Sequence, residues 1–195
     1  MIPVTATGEF LARLERSRCC AAIVSDEQLE LALVSRTPIV FVLRGNGLAL
    51  GPCIRRIHAA GKLVAVHLDL VDGVRADPRG VAWLARLGTD AIITSHGRLM
   101  PVIRREGVVA ILRLLLSRRT HVDTSVTAVS RAGPDIIEVL PGVILPTLAA
   151  LMPTFGVPLL AGGFIRTQAD AEDVIAAGAV GITTSAPNLW GMYAS

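Results

Sequence analysis

The sequence predicts an α/β chain closed into a single compact (β/α)8 barrel, and three observations carry that reading. Short apolar runs of β type alternate with helical stretches from one end to the other. The runs are apolar on successive residues, as strands covered on both faces of a parallel sheet must be. Eight such units fit 195 residues, close to the roughly 200 that form the lower limit for a TIM-type barrel.

The elements follow in order. Strands are expected at Ala21–Val24, Ile39–Leu43, Leu63–Leu70, Ala91–Thr94, Val108–Leu112, Ile136–Leu140, Leu159–Ala161 and Ala179–Thr183. Helices are expected at Phe10–Arg16, Leu29–Val34, Ile54–Ala60, Val81–Leu87, Val102–Glu106, Val122–Arg131, Leu148–Met152 and Ala169–Ala177. Gly61 ends a helix before the third strand, Gly133-Pro134 before the sixth and Gly178 before the eighth, the positions where helix-stopping residues belong. Thr167 reads as a helix cap with Asp170 in the first turn. An open flavodoxin-like sheet is the alternative, but it leaves strands unassigned. No linker, low-complexity tract or strong internal repeat divides the chain, so one domain covering residues 1–195 is expected.

Composition narrows the class. Hydrophobic residues make up 52% of the chain and mean hydropathy is +0.57. Such values suit an extensively buried sheet, with self-association as a second use of apolar surface. Val139 to Ile165 carries no charged residue, yet Pro141, Pro146, Pro153 and Pro158 cut it into pieces too short to span a bilayer. The N-terminal residues lack the basic and apolar regions of a signal peptide, so a cytoplasmic location is expected. Cys19, Cys20 and Cys53 form no ligand pattern and read as buried thiols. A net charge of +3 permits nucleic-acid binding without requiring it.

The sharpest local signal is a strand running into Gly162 and Gly163, then Phe164, Ile165, Arg166 and a helix start. Glycines let backbone approach a ligand, and the amides that follow can point at an anion. Thr183, Thr184 and Ser185 end the last strand. Barrels often bind phosphate with the loops after strands seven and eight. The expected phosphate contacts are therefore Gly162, Gly163, Phe164, Arg166, Thr184 and Ser185.

Farther up the chain, His67 and Asp69 are expected on one face of the third strand, at the barrel mouth. Glu138 is a carboxylate in an apolar strand and needs a partner. That partner is either a ligand or Arg113 of the neighbouring strand, and both readings stand. No Ser-His-Asp elbow, P-loop or zinc motif occurs. A divalent ion between His67, Asp69 and Glu138 is only a minority reading, and no metal or cofactor is expected. The pairs Arg55-Arg56, Arg104-Arg105 and Arg118-Arg119 read first as solvated faces. Aromatic residues are only 4% of the chain, few for stacking on RNA bases.

Four segments carry a family resemblance: Val66-His67-Leu68-Asp69-Leu70-Val71-Asp72-Gly73, Pro134-Asp135-Ile136-Ile137-Glu138-Val139-Leu140-Pro141-Gly142, Ala161-Gly162-Gly163-Phe164-Ile165-Arg166-Thr167, and Thr183-Thr184-Ser185 with Leu189-Trp190. In that order they resemble the glycerol-3-phosphate-responsive antiterminator family, over about the last two thirds of the chain. The resemblance implies a TIM-type barrel, glycerol 3-phosphate as effector, and binding to an mRNA leader that lets transcription pass a terminator. It implies regulation of glycerol uptake genes rather than catalysis. The phosphate would rest on the Gly162–Arg166 and Thr184–Ser185 loops. The glycerol end would face His67, Asp69, Glu138 and Arg113. RNA phosphates would meet arginines outside the mouth, with Arg55, Arg56, Arg104 and Arg105 as candidates. Two places depart from the family pattern: Ser117-Arg118-Arg119 stands where Leu-Asp-Ser is usual, and Thr94-Ser95-His96 stands where the third residue is commonly Arg or Lys. The rival reading is a small enzyme acting on a sugar or triose phosphate, with Glu138 or Asp69 as general base.

Overall fold

A computed structural model describes residues 6–116, 121–148 and 155–193. Eight parallel strands close a barrel in sequence order: β1 (Cys19–Ile23), β2 (Ile39–Val42), β3 (Leu63–His67), β4 (Ala91–Thr94), β5 (Val109–Leu115), β6 (Ile136–Leu140), β7 (Leu159–Gly162) and β8 (Gly181–Thr184). Cys20 opposite Thr183 joins the last strand to the first, which rules out the open sheet. Helix α1 (Ala6–Ser17) precedes the barrel. The others follow the strands: α2 (Asp26–Val34), α3 (Gly47–Ala59), α4 (Pro78–Arg86), α5 (Met100–Arg105), α6 (His121–Ala132), α7 (Leu145–Leu148) and α8 (Gln168–Ala176).

Period-two alternation sorts the strand residues into two cores. Outward-facing residues such as Val40, Val64, Val66, Ile92, Ile137 and Ile182 pack beneath the helices. Inward-facing residues fill the barrel: Cys20, Ala22, Ile39, Phe41, Ala65, Ala91, Ile93, Val109, Ile111, Ile136 and Leu160. The alanines leave room for Phe41, so the interior is packed rather than hollow. Phe10 and Leu14 of α1 join this inner core, and a Cβ on Gly181 would stand 2.7 Å from Leu14 Cδ1. The N-terminal helix thus stops the lower end of the barrel.

Several boundaries differ from the sequence reading, each for a physical reason. Helix α3 starts at Gly47, capped by Asn46, and carries Pro52 inside it. The expected helix begins only at Ile54; the observed one starts seven residues earlier because neighbouring elements hold its first turns despite Pro52. Strand β5 runs on to Leu115, so Arg113 is a strand residue. Strand β3 ends at His67, and Leu68–Leu70 form a 3-10 turn. His67 and Asp69 therefore do not share a strand face. Part of the expected helix Leu148–Met152 lies outside the described residues, as do Arg118 and Arg119. Among the described residues, no helix is long and apolar enough to cross a membrane.

Candidate ligand site

The upper end of the inner barrel is polar. Register places Arg113 directly opposite Glu138 and Thr183 opposite Gly162. Arg113 Nε donates to Glu138 Oε2 at 2.7 Å, and Thr183 Oγ1 donates to Glu138 Oε1 at 2.6 Å. Glu138 is 1% exposed, so a guanidinium and a hydroxyl answer the charge that an apolar strand could not. The interior ion pair is thus realised, while Arg113 and Glu138 also line a cavity of about 570 Å³ at the mouth. That cavity is bounded as well by Gly163, Phe164, Arg166, Thr184, Ser185 and Asn188. Asn188, in the turn after β8, was missed because it belongs to no recognisable motif.

The glycines here answer to contact. A Cβ on Gly162 would sit 2.5 Å from Thr183 Oγ1 and 2.9 Å from Glu138 Oε1. A Cβ on Gly142 would sit 2.7 Å from the Gly162 amide nitrogen. The loop after β6 therefore rests directly on β7, which interlocks the two most specific sequence segments. The next two residues turn left-handed, Gly163 at φ +82° and Phe164 at φ +61°. An L-residue there costs about 1–2 kcal/mol, and such outliers cluster at functional sites. Phe164 is 69% exposed above the cavity.

The ends of β4 and β8 echo each other. Thr94 Oγ1 accepts from the His96 amide and Thr184 Oγ1 from the Ala186 amide, each at 3.1 Å. A 3-10 turn follows in both cases, Gly97–Leu99 and Pro187–Leu189. After β4, the Thr94 hydroxyl donates to Asp69 Oδ1 and the Ser95 amide to Asp69 Oδ2 at 2.8 Å. After β8, the Thr184 hydroxyl donates instead to the Ile165 carbonyl at 2.7 Å. The Ser185 amide, like those of Gly163 and Phe164, donates to no protein acceptor among the described residues. At the position of Ser185, then, the first half of the barrel holds an anionic oxygen of its own.

The remaining expected residues divide. The Arg166 and Thr167 amides both give to Asp170 Oδ2, so helix α8 is closed by its own capping box and only the Arg166 side chain is left for a ligand. Thr184 stitches the β7 loop to β8 with its hydroxyl. Asp69 points sideways to the β4 turn rather than into the mouth, because the chain leaves β3 at His67. Among the described residues no group of three His, Cys, Asp or Glu side chains could hold a metal ion.

His67 stands apart. Its side chain is buried, and neither ring nitrogen has a hydrogen-bond partner. Burial, with the Arg113 guanidinium nearby, pushes its pKa down to about 4 against the pull of Asp69 and Glu138. The imidazole is therefore neutral at ordinary pH, with one donor and one acceptor to offer.

The RNA candidates do not converge. Arg56 grips Glu30 of α2 at 2.6 and 2.7 Å. Arg104 reaches the Gly133 carbonyl and Asp135, and Arg105 Nε the Pro101 carbonyl. Arg55 is exposed without such a partner, and α4 separates it from the α5 pair.

Fold and site together define a TIM-type barrel, closed below by α1 and polar at an open mouth. The chain belongs to the family described as glycerol-3-phosphate responsive antiterminators, whose model matches residues 19–190. It is 30% identical over 183 residues to the uncharacterized protein YgcP of Escherichia coli (strain K12), covering 93% of this chain and 95% of that protein. Among solved structures it is similar to the glycerol uptake operon antiterminator regulatory protein from Listeria monocytogenes. That match has 28% identity and a TM-score of 0.84, covering 88% of this chain and 94% of the other. A glycerol uptake operon antiterminator-related protein from Thermotoga maritima gives 26% identity and a TM-score of 0.81, covering 89% and 98%. A deoxyribose phosphate aldolase from Aeropyrum pernix, at 16% identity and a TM-score of 0.71, shares the fold alone.

Proposed function

We propose that the chain binds glycerol 3-phosphate in the barrel mouth and, with it bound, engages an mRNA leader to let transcription pass a terminator. One observation carries the effector half. The Ser185 amide, without a protein acceptor, matches the Ser95 amide that holds Asp69 Oδ2. An anionic ligand oxygen reproduces this contact, and a phosphate can supply one here and others to the Gly163 and Phe164 amides beside it. Arg166 and Arg113 add cationic donors, and Arg113 has four N–H groups beyond the one given to Glu138. The glycerol hydroxyls then fall to His67, whose neutral ring gives and takes one hydrogen bond, and to the Arg113–Glu138 pair. Asp69 contributes by holding the β4 turn.

The arrangement speaks for regulation over turnover. Aldol chemistry through an imine needs a lysine amine at the mouth. Lys62 is the chain's sole lysine, and it sits at the other end, donating to the Ser35 and Thr37 carbonyls at 2.7 and 2.6 Å. Glu138 and Asp69, the candidate general bases, are both engaged by protein donors.

Calorimetry with glycerol 3-phosphate, glycerol and inorganic phosphate tests the effector, and tight binding of the ester alone is expected. A gel shift with leader RNA, with and without the ester, tests the switch. By linkage, any tightening of RNA by the ester must be matched by a tightening of the ester by RNA. Equal RNA affinity in both conditions sinks the switch.

A further inference from the structure

The described residues hold a second large concavity, away from the mouth. About 830 Å³ in volume, it lies between the start of α3 and the outer face of α4. Arg75, Arg79 and Arg86 line it together with Trp83 and the exposed Leu48. On α4, Arg79, Trp83 and Arg86 are spaced by four and three residues, so they share one helix face. Arg55 extends the groove along α3: a Cβ on Gly51 would lie 3.5 Å from both Arg55 Nη1 and Leu87 Cδ2. A Cβ on Gly47 would lie 3.5 Å from the indole Cη2 of Trp83.

All four arginines are exposed, and no ion pair or hydrogen bond ties their guanidinium groups among the described residues. Two carboxylates, Asp72 and Asp77, also line the groove. Asp77 caps α4 through the Arg79 and Gly80 amides and keeps its charge beside Arg75 and Arg79, so the arginines outnumber the carboxylates and the groove is net positive.

Packing accounts for one side of Trp83, which is half-buried against the core, but not for the exposed arginines around it. Helix α8 fills the corresponding place in the other half of the barrel, one strand before β8 as α4 is one strand before β4. Both helices have a capping side chain, Asp77 and Thr167, and bury matching residues, Val81 and Leu84 against Ala171 and Val174. At the places of Arg79, Ala82, Trp83 and Arg86, however, α8 carries Ala169, Glu172, Asp173 and Ala176. The fold accepts an acidic face there equally well. The basic character of the α4 face is therefore not a requirement of the fold.

We infer that the α3–α4 groove is the RNA-docking surface, with Arg55, Arg75, Arg79 and Arg86 on backbone phosphates and Trp83 beneath a base of a single strand. This rests on the antitermination reading and assigns its place. A flat ring between cations suits single-stranded nucleic acid, which combines phosphate contacts with base stacking. The same β3–α4 connection runs from the buried His67 at the end of β3 to Arg75 on the groove, so the barrel's inner end and the groove share an element.

The test uses end-labelled single-stranded RNAs of about 20 nucleotides, longer than a typical site of about 4–16. All-A, all-C and all-U sequences are titrated at several salt concentrations, with and without glycerol 3-phosphate. The variant R75Q/R79Q/R86Q should lose affinity by tenfold or more and lower the salt slope by about 2. Trp83→Ala should lose about tenfold while Trp83→Phe keeps most of the affinity. R104Q/R105Q on α5 should bind like the parent. If the parent binds RNA but the triple variant binds equally well, or the α5 variant falls as far, the groove is the wrong surface and the antitermination reading survives. Equally tight binding of polyglutamate overturns the choice of nucleic acid. If the parent binds none of these RNAs under either condition but shifts leader RNA, the groove is not a sequence-tolerant single-strand site and the antitermination reading survives; if it shifts neither, the antitermination reading fails and the groove goes with it.

Discussion

Gly162 is enclosed on two sides: a Cβ there would meet the Thr183 hydroxyl and the Glu138 carboxylate, and its amide nitrogen abuts Gly142 of the β6 loop. A methyl group there forces Thr183 and Glu138 apart, an overpacking cost of about 1–3 kcal/mol. Gly162→Ala should unfold at lower denaturant concentration, and calorimetry should show glycerol 3-phosphate binding weakened by about tenfold or more, because the amides of the next two residues move with it. His67 makes a prediction in pH. The unfolded imidazole takes a proton below about 6.5, while the folded one stays neutral down to about 4. The unfolded chain therefore binds the extra proton in that window, and stability falls as pH drops through it. Urea denaturation should show a loss of about 2 kcal/mol from this group between pH 7 and pH 5. His67→Gln should lack that component, and an unchanged pH profile would show that the ring is not held neutral.

At the scale of elements, the turns after β4 and β8 share one design with different acceptors. Asp69 supplies both acceptor oxygens to the first. Asp69→Asn replaces one of them with an amide donor, leaving the Thr94 hydroxyl or the Ser95 amide unmatched, at about 1–2 kcal/mol. Hydrogen exchange at Ser95 should accelerate while amides in the middle of β4 change little. This element also shows what the sequence reveals and what it hides. Strands, helix stops and the Gly162-Gly163 turn were legible because periodicity and glycine placement are local. The Thr167–Asp170 cap was legible for the same reason. The destination of Asp69 was not, because it depends on where β3 ends, and the apolar run through Leu70 concealed that end. The α3–α4 groove was hidden too. Its arginines come from a loop and two helices, and only packing shows that Arg75 and Arg79 line one surface and that Arg55 lies back beside Gly51 and Leu87 while Arg56 turns to Glu30.

At the scale of the molecule, small interior side chains and an N-terminal stopper take the place of the longer elements that larger barrels use. Phe10 is fully buried against the inner core. Phe10→Ala should cost about 3–5 kcal/mol in chemical denaturation. Calorimetry on the folded fraction should find glycerol 3-phosphate affinity unchanged, since the mouth lies at the opposite end. A matching loss of affinity would mean that the inner core carries strain from one end of the barrel to the other.

The stopper also sets how small molecules can move. With Phe10 and Leu14 wedged under β1, β5 and β8, the barrel is a cup and not a tube, so arrival and departure share one doorway. For the effector proposed above, trimming a rim side chain such as the exposed Phe164 should speed entry and exit together and leave the equilibrium constant alone. A residue that touches the bound molecule only in its seat changes residence time by itself.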